Sequence, residues 1–231
     1  MIIAAIRKKV WDAPVLSELN VWHDCEERDG PLNMAVDEWL WRTTTVPLLR
    51  IYGWSGEWMS IGYFSASSAV SEGRAFVRRP TGGGLVDHRG DWTYTLIIPR
   101  GQILAELPGA ESYRLVHEAL CDVLCAEGLD CHLMSGLQEM QSDFCFQQPV
   151  RYDLVDEQGN KLAGAGQRRG KQGLLHQGSV QAVTDQIPQR GMALATELSA
   201  SVREIRQEID EVEIHRLQND VYRQSSWNFR R

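Results

Sequence analysis

The chain has 231 residues, of which 43% are hydrophobic and 24% are charged, and its formal net charge at pH 7 is −7. This composition is typical of one globular domain with a substantial core, and no apolar run approaches the roughly 20 residues of a membrane-spanning helix. The acidic balance argues against broad nucleic-acid binding, because neutralising phosphates requires an excess of lysine and arginine.

The cysteines and the N-terminus indicate the compartment. The five cysteines form an odd set without C-x-x-C pairs: Cys25, Cys121, Cys125, Cys131 and Cys145. We therefore expect neither a disulfide framework nor a zinc ribbon. Residues 1–10 place an apolar start before basic residues, the reverse of the order in a signal peptide. These features predict a cytoplasmic protein with reduced thiols, no metal and no membrane partner.

The first elements in chain order are a helix and three strands. Apolar residues at helical spacing predict an amphipathic helix over 33–43, with Asp37 and Glu38 on its other face. Residues 47–54 and 58–64 are short β-rich segments separated by Ser-Gly, and we expect them to be neighbouring strands. The strongest strand signal covers residues 92–99.

Residues 78–84, with the sequence RRPTGGG, are the most distinctive stretch of the chain. Consecutive glycines cost backbone entropy, so they indicate a close backbone approach or a turn with positive φ. Two adjacent arginines offer forked donors for a phosphate or a carboxylate. The alternative is a glycine-rich hairpin with two surface arginines.

A second helix is predicted over residues 111–127, with Gly128 as its C-terminal cap. Cys121 and Cys125 lie four residues apart in this helix, a spacing that can bind a metal ion. No histidine or third cysteine follows at a matching offset along the helix. We therefore expect these two cysteines to pack in the core.

Three strands and two helical patterns complete the chain. Residues 151–155, 161–167 and 174–183 alternate or run apolar between turn signals, which predicts a meander. Helical patterns follow from Pro188 onward. The predicted fold class is α+β, a mixed sheet with helices packed on it.

Three side chains in the second half of the sequence are candidates for chemistry. Cys145 lies between two phenylalanines in a segment without periodicity, so it is either an accessible nucleophile or an inert packing residue. Lys161 heads a strand of small residues against which a ligand can lie flat, and its alternative is a surface lysine in a hairpin. His176 is either a functional imidazole or a buried structural one.

Three co-ordered motifs resemble the catalytic domain shared by lipoate–protein ligases, octanoyltransferases and biotin–protein ligases. They are residues 33–38 (NMAVDE), residues 78–84 with His88, and residues 161–168 (KLAGAGQR) followed by 176–179 (HQGS). The resemblance implies a mixed, largely antiparallel sheet flanked by helices, of the class II synthetase and biotin-lipoate ligase type. It also implies one acyl-transfer catalytic domain over 1–231, without a separate accessory domain.

The resemblance carries specific roles to matching positions. It implies that Lys161 contacts the acyl carbonyl and that Cys145 is the nucleophile. The substrate-binding residues that it implies are Arg78, Arg79, Thr81, Gly82, Gly83, Gly84, His88, Gly164, Ala165 and His176. No metal ligand is implied.

Within the family, the Cys-loop octanoyltransferases are most similar, because Cys145-Phe146 lies shortly before the segment that contains Lys161. This implies octanoyl transfer without a cofactor, from octanoyl-acyl carrier protein to lipoyl domains of 2-oxoacid dehydrogenases or to the glycine cleavage H protein. The first alternative is a lipoate–protein ligase that uses ATP and Mg. The third glycine of the turn, Gly84, resembles the sequence pattern of these ligases. The second alternative is a non-catalytic acyl-binding homologue. No nucleic-acid partner is expected.

A basic rim is the expected docking surface for an acidic carrier protein. Arg74, Arg78 and Arg79 lie close together in the sequence, and the turn over residues 168–171 adds further cations. Positive charge on an otherwise acidic protein is suited to steering an acidic partner. We therefore predict docking at these two clusters.

Overall fold

The structure of the chain is a computed structural model, which describes residues 13–136, 150–181 and 187–230. The strands are β1 (Leu19–Arg28), β2 (Leu48–Trp54), β3 (Met59–Ile61), β4 (Phe76–Arg78), β5 (Leu85–Asp87), β6 (Trp92–Pro99), β7 (His132–Leu133), β8 (Leu154–Val155), β9 (Lys161–Gly170), β10 (Gly173–Val180) and β11 (Val202–Glu204). The helices are α1 (Gly30–Thr43), α2 (Ile103–Glu106), α3 (Gly109–Ala126), α4 (Ile187–Leu198), α5 (Glu211–Leu217) and α6 (Ser225–Asn228). A 3₁₀ turn covers Ser67–Ala69, and a π-helical turn covers Gln218–Tyr222.

Eight strands form one mixed sheet in the order β11-β1-β2-β6-β10-β9-β8-β7. The β11–β1 and β1–β2 pairs are parallel, and the other pairs are antiparallel. β6 and β10 lie at its centre and are buried along almost their whole length, as expected for strands covered on both faces. A smaller sheet has the order β4-β3-β5. The predicted mixed, largely antiparallel architecture is confirmed.

Two hydrophobic cores lie on opposite faces of the large sheet. Alternate residues of β6, such as Leu96 and Ile98, pack with α3 and α4, whereas Ile97 packs with α1 and α5. This alternation follows from the two-residue period of a strand. No helix in the described ranges has the length and hydropathy to cross a bilayer.

α1 begins earlier than predicted and is buried more completely. Asp29 caps the helix by accepting a hydrogen bond from the Leu32 amide at 2.8 Å, and Pro31 lies in the first turn. The prediction of an outward polar face is wrong, because Asp37 and Glu38 are buried. α1 lies between the sheet and the C-terminal helices, so both of its faces are covered.

The predicted pairing of the second and third strand segments is also wrong. β2 is hydrogen-bonded to β1 along one edge and to β6 along the other, so it offers no free edge to the segment that follows. β3 instead joins the small sheet, parallel to β4 and antiparallel to β5. The small sheet carries the glycine-rich turn between β4 and β5.

The later predictions agree better with the structure. β8, β9 and β10 form the predicted antiparallel meander, and α3 ends next to Gly128, which has a φ of +90°. The described range from Ile187 onward holds three helices, α4, α5 and α6, where the sequence predicted two helical patterns, and the short strand β11 was not predicted. β11 pairs with β1 through only three residues, too few to produce a clear periodic signal.

A buried ionic network joins β1, β2 and α1. The Arg50 guanidinium is inaccessible to solvent and donates to Asp24 Oδ2 from Nε at 2.9 Å and from Nη2 at 2.8 Å. Its Nη1 donates to Asp37 Oδ1 at 2.7 Å. The Tyr52 ring centroid lies 4.0 Å from the guanidinium carbon. The cation is therefore fully paired within the core.

Arg50→Met is expected to destabilise the protein by about 3–5 kcal/mol, because it leaves the buried Asp37 carboxylate without its cation, whereas Asp24 keeps its pair with Arg28. Chemical denaturation measures this change in the free energy of unfolding. The control is Arg216→Met, because Arg216 forms an exposed pair with Glu213 and its loss should cost less than about 1 kcal/mol. Equal stability of the two variants would show that the buried network contributes little.

Candidate active site

The glycine-rich turn lies against the edge of β9. β9 pairs with β8 only near its start, through Ala163 and Lys161, so the edge beyond is open to the turn. The Gly82 amide donates to the Gln167 carbonyl at 3.3 Å. A Cβ on Gly166 would lie only 2.3 Å from the Gly82 carbonyl oxygen. The small residues therefore allow two backbone segments to touch, as predicted from the sequence.

Arg79 holds the turn from inside. Its side chain is buried, and its Nη2 donates to the carbonyls of Gly82 at 3.3 Å and Gly84 at 2.9 Å. Its Nη1 donates to the Ser60 backbone and hydroxyl oxygens at 3.0 and 2.6 Å. Burial lowers the pKa of the Arg79 guanidinium to about 10, so it remains a cation at neutral pH. Gly83 has a φ of +92°, which favours glycine there.

His88 supports Arg79 indirectly. Its Nε2 lies 2.5 Å from Ser60 Oγ, and its Nδ1 lies 2.8 Å from Asp91 Oδ2. Its ring stacks on Trp54 with 3.9 Å between ring centroids. Burial lowers the pKa of His88, which favours the neutral imidazole. Both ring nitrogens thus have protein partners. Through its contact with Ser60, His88 helps to position the hydroxyl that accepts a hydrogen bond from Arg79.

Arg78 has no donor left for a substrate. Its guanidinium is surrounded by backbone carbonyls: those of Gly62, Tyr63, Ser65, Trp227, Asn228 and Arg230. Five N–H groups serve these six acceptors, and the side chain is inaccessible to solvent. The implied substrate-binding role of Arg78 therefore does not fit the structure. Arg78 instead ties the C-terminal segment to the loop after β3.

The predicted docking rim is wrong in part for the same reason. Arg78 and Arg79 are buried, so neither presents its charge to a partner. Arg74 remains partly accessible and pairs with Glu57 at 3.3 Å. Arg169 donates to the Ala105 carbonyl at 2.6 Å. The two buried arginines therefore stabilise the fold, whereas Arg169 and Lys171 of the second cluster are exposed, and docking there stays a prediction.

Thr81 connects the turn to the buried network. Its hydroxyl donates to Gln177 Oε1 at 2.7 Å, and Gln177 Nε2 donates to Asp37 Oδ2 at 2.7 Å. Asp37 Oδ2 also accepts from the Thr95 hydroxyl at 2.7 Å. The Asp37–Gln177–Thr81 chain therefore links α1 and the centre of the sheet to the glycine-rich turn.

Lys161 lies at the other end of the same edge. Its Nζ pairs with Asp153 Oδ2 at 2.7 Å, and its side chain is 36% exposed while Asp153 is fully buried. A Cβ on Gly164 would lie 2.4 Å from Lys161 Cε. Because glycine has no Cβ, the Lys161 side chain can lie across the strand at position 164.

Asp153 and Tyr113 organise this end of the site, and no role was predicted for either. Asp153 Oδ2 accepts from the Val150 amide at 2.8 Å, and Asp153 Oδ1 accepts from the Tyr113 hydroxyl. The Tyr113 hydroxyl accepts from the Ala165 amide at 2.9 Å, so that amide is already paired. The Asp153 carboxylate carries no local sequence signal of its partner Tyr113, which lies forty positions earlier in α3.

His176 lies on the opposite face of the sheet from Gln177. Its Nδ1 lies 3.1 Å from Gln167 Nε2, and its Nε2 lies 3.2 Å from the Tyr94 hydroxyl. Burial, and then the nearby His117, lower the pKa of His176 well below its usual range. These contacts fit the structural alternative for His176. Cys145, the predicted nucleophile, lies outside the described residues.

Gly166→Ala is expected to destabilise the protein by about 1–3 kcal/mol, because the new methyl group overlaps the Gly82 carbonyl and must push the turn from β9. Chemical denaturation measures the loss, and hydrogen exchange should show faster exchange of the Gly82 amide. The control is Gly136→Ala, where no atom lies within 4 Å of the new Cβ. Identical behaviour of the two variants would contradict the close packing described above.

Comparisons with known proteins agree with this geometry. The model of the lipoyl protein ligase A/B catalytic domain matches residues 29–224. The octanoyltransferase LipM of Kyrpidia tusciae is 36% identical over 168 residues, which are 64% of this chain and 60% of that protein. The octanoyltransferase LipM of Halalkalibacterium halodurans is 33% identical over 176 residues, which are 68% of this chain and 63% of that protein. The chain thus spans less than two thirds of either relative.

The fold is also seen in a solved structure. A T. acidophilum protein described as a lipoate protein ligase, with bound lipoic acid, has a TM-score of 0.72 at 20% identity. The similarity covers 93% of this chain and 98% of that chain, and it confirms the predicted lipoate-ligase-like fold. Together with the family match over residues 29–224, this shows that the chain belongs to the lipoyl protein ligase A/B catalytic domain family.

Proposed function

We propose that this chain is an acyl-transfer catalytic domain that moves an octanoyl group from octanoyl-acyl carrier protein to a lysine of a lipoyl domain, through a thioester on Cys145. The observation that carries the proposal is the Lys161–Asp153 pair at 2.7 Å, beside an edge where glycine-rich backbone replaces side chains. Cys145 precedes Val150 by five residues along the chain. Val150 donates its amide to the same Asp153.

The proposed reaction consists of two acyl transfers. In the first, the Cys145 thiolate attacks the carrier thioester, a new carbon–sulfur bond forms, and the carrier thiol leaves. In the second, the amine of the acceptor lysine attacks the acyl-enzyme, an amide forms, and Cys145 leaves as a thiolate while the amine loses its proton to a base. No ATP is consumed, because the thioester already supplies an activated acyl group.

Lys161 supplies the electrostatic part of this proposal. Its ammonium is held by the buried Asp153 carboxylate, which fixes the position of the charge. Each tetrahedral intermediate places negative charge on the former carbonyl oxygen, and a positioned cation stabilises that charge more than it stabilises the neutral substrate. Lys161 is therefore assigned to the acyl oxygen, and Asp153 is a positioning residue.

The relatives named octanoyltransferase LipM support octanoyl transfer rather than ATP-dependent ligation. The hydrogen bonds of Arg78 and Arg79 support the same choice. A ligase must hold the triphosphate of ATP, for which arginine and lysine are the usual partners. Arg78 and Arg79, which flank the turn, are already paired with protein carbonyls. A lipoate–protein ligase that requires ATP and Mg is the second candidate, favoured by the third glycine of the turn, Gly84.

The first test mixes the purified chain with octanoyl-acyl carrier protein in the absence of ATP and measures the intact mass. Wild type should gain one octanoyl group that hydroxylamine removes, because hydroxylamine cleaves thioesters. Cys145→Ala should gain none. Cys25→Ala is the matched control, because Cys25 is an exposed thiol on β1, and it should behave as wild type.

The opposite outcome identifies the ligase. In that case wild type forms no adduct with the carrier, and a lipoyl domain is acylated only when free acid and ATP are supplied. Cys145→Ala would then retain activity. A chain that binds the acyl group but shows neither activity would be a non-catalytic homologue, and the proposal would be wrong.

Lys161→Met should slow octanoyl transfer to a lipoyl domain by about 10²–10³-fold, the effect typical of removing one oxyanion-stabilising donor. Methionine keeps much of the aliphatic length that lies over Gly164 but removes the charge. Arg203→Met is the control, because Arg203 is exposed on β11, at the far edge of the sheet from β9. Single-turnover rates measure the effect, and thermal melting checks that both variants fold. An unchanged rate for Lys161→Met would exclude the assigned role.

A further inference from the structure

Three cysteines converge at the C-terminal end of α3, outside the site described above. The Cys131 Sγ lies 3.7 Å from the Cys121 Sγ and 3.8 Å from the Cys125 Sγ. All three sulfur atoms lie within 4.8 Å of one another. The sequence alone shows only the two helical cysteines as a pair, and the fold supplies the third.

The turn after α3 brings Cys131 back to the helix. Gly128 adopts a φ of +90°, and the Leu129 amide donates to the Leu124 carbonyl at 3.0 Å. These features reverse the chain within a few residues, as glycine-terminated helix ends do. The third thiol therefore reaches the helix through a short, hydrogen-bonded turn rather than through a long loop.

Two of the three sulfur–sulfur distances match those of a thiolate metal site. Zinc–sulfur bonds are about 2.3 Å long, so two thiolates on one tetrahedral ion lie about 3.8 Å apart. The distances from Cys131 to its two neighbours have this value. Soft thiolate ligands favour zinc and copper(I) over calcium and magnesium.

The three-cysteine cluster is buried on one side and accessible to solvent on the other. Cys121 and Cys131 are buried in the core, whereas Cys125 is exposed. An ion can thus enter from the solvent side and meet all three sulfurs without unfolding the helix.

We propose that Cys121, Cys125 and Cys131 bind one thiophilic metal ion, with Zn²⁺ as the expected species. On binding, the three thiols release their protons to solvent and form three metal–sulfur bonds, with no change in oxidation state. This site is separate from the proposed acyl-transfer chemistry, and neither assignment depends on the other.

A bound ion would link α3 to β7, which pairs with β8. Cys131 immediately precedes β7, and the Met134 amide donates to the Asp153 carbonyl at 2.8 Å. Asp153 is the residue that holds Lys161. The metal is therefore expected to stabilise the segment that presents this carboxylate, which is a structural role rather than a catalytic one.

The test adds Zn²⁺ to the reduced, metal-free protein and counts bound ions by native mass spectrometry. Wild type should retain one ion, and Co²⁺ in its place should show the sulfur-to-cobalt charge-transfer absorption of thiolate ligation. Zn²⁺ should also raise the melting temperature, because a ligand that binds only the folded state stabilises it.

Cys125→Ser is the main variant, because this cysteine is exposed and its replacement does not disturb the core. It should lose the ion and the charge-transfer band, and Cys131→Ser should do the same. Cys25→Ser, an exposed cysteine on β1, is the control and should keep both. The proposal is overturned if wild type retains no ion, if Cys125→Ser binds as wild type does, or if the reduced cluster simply oxidises to a disulfide.

Discussion

The buried carboxylate of Asp37 is the point on which the rest of the structure depends. Its Oδ1 accepts from Arg50, and its Oδ2 accepts from Thr95 and Gln177. A buried charge is tolerated only when its cation and hydrogen-bond donors are all present, and here they come from β2, β6 and β10. Because Gln177 also accepts from Thr81, the position of the glycine-rich turn is determined in the core of the protein.

The arginines of the RRPTGGG motif brace this turn internally. Arg79 donates to the carbonyls of Gly82 and Gly84, and Arg78 donates to those of the C-terminal segment. Carbonyls that point at a buried cation cannot point into the adjoining space. The turn therefore presents an edge with few side chains, suited to an uncharged acyl chain, and Lys161 with Asp153 supplies the charge at one end.

Local signals predicted much of the fold. The strands of the central meander, the long helix α3 and the close backbone approach of the glycines follow from periodicity and turn chemistry, which act over a few residues. The burial of Asp37 could not be predicted, because its cation lies on another strand. The enclosure of Arg78 by residues about 150 positions away is likewise invisible to local patterns. The same holds for Cys131, which meets α3 only after the chain reverses.

We propose that the acyl group lies along the surface where the glycine-rich turn meets β9, with its carbonyl end at Lys161. A crystal structure of the chain with bound octanoate, or with the octanoyl-enzyme trapped, tests this most directly. We expect the acyl chain to lie along residues 81–84 and the small residues of β9, with its oxygen within hydrogen-bonding distance of Lys161 Nζ. Density for the acyl chain on the α3 face of the sheet, or away from Lys161, would contradict it.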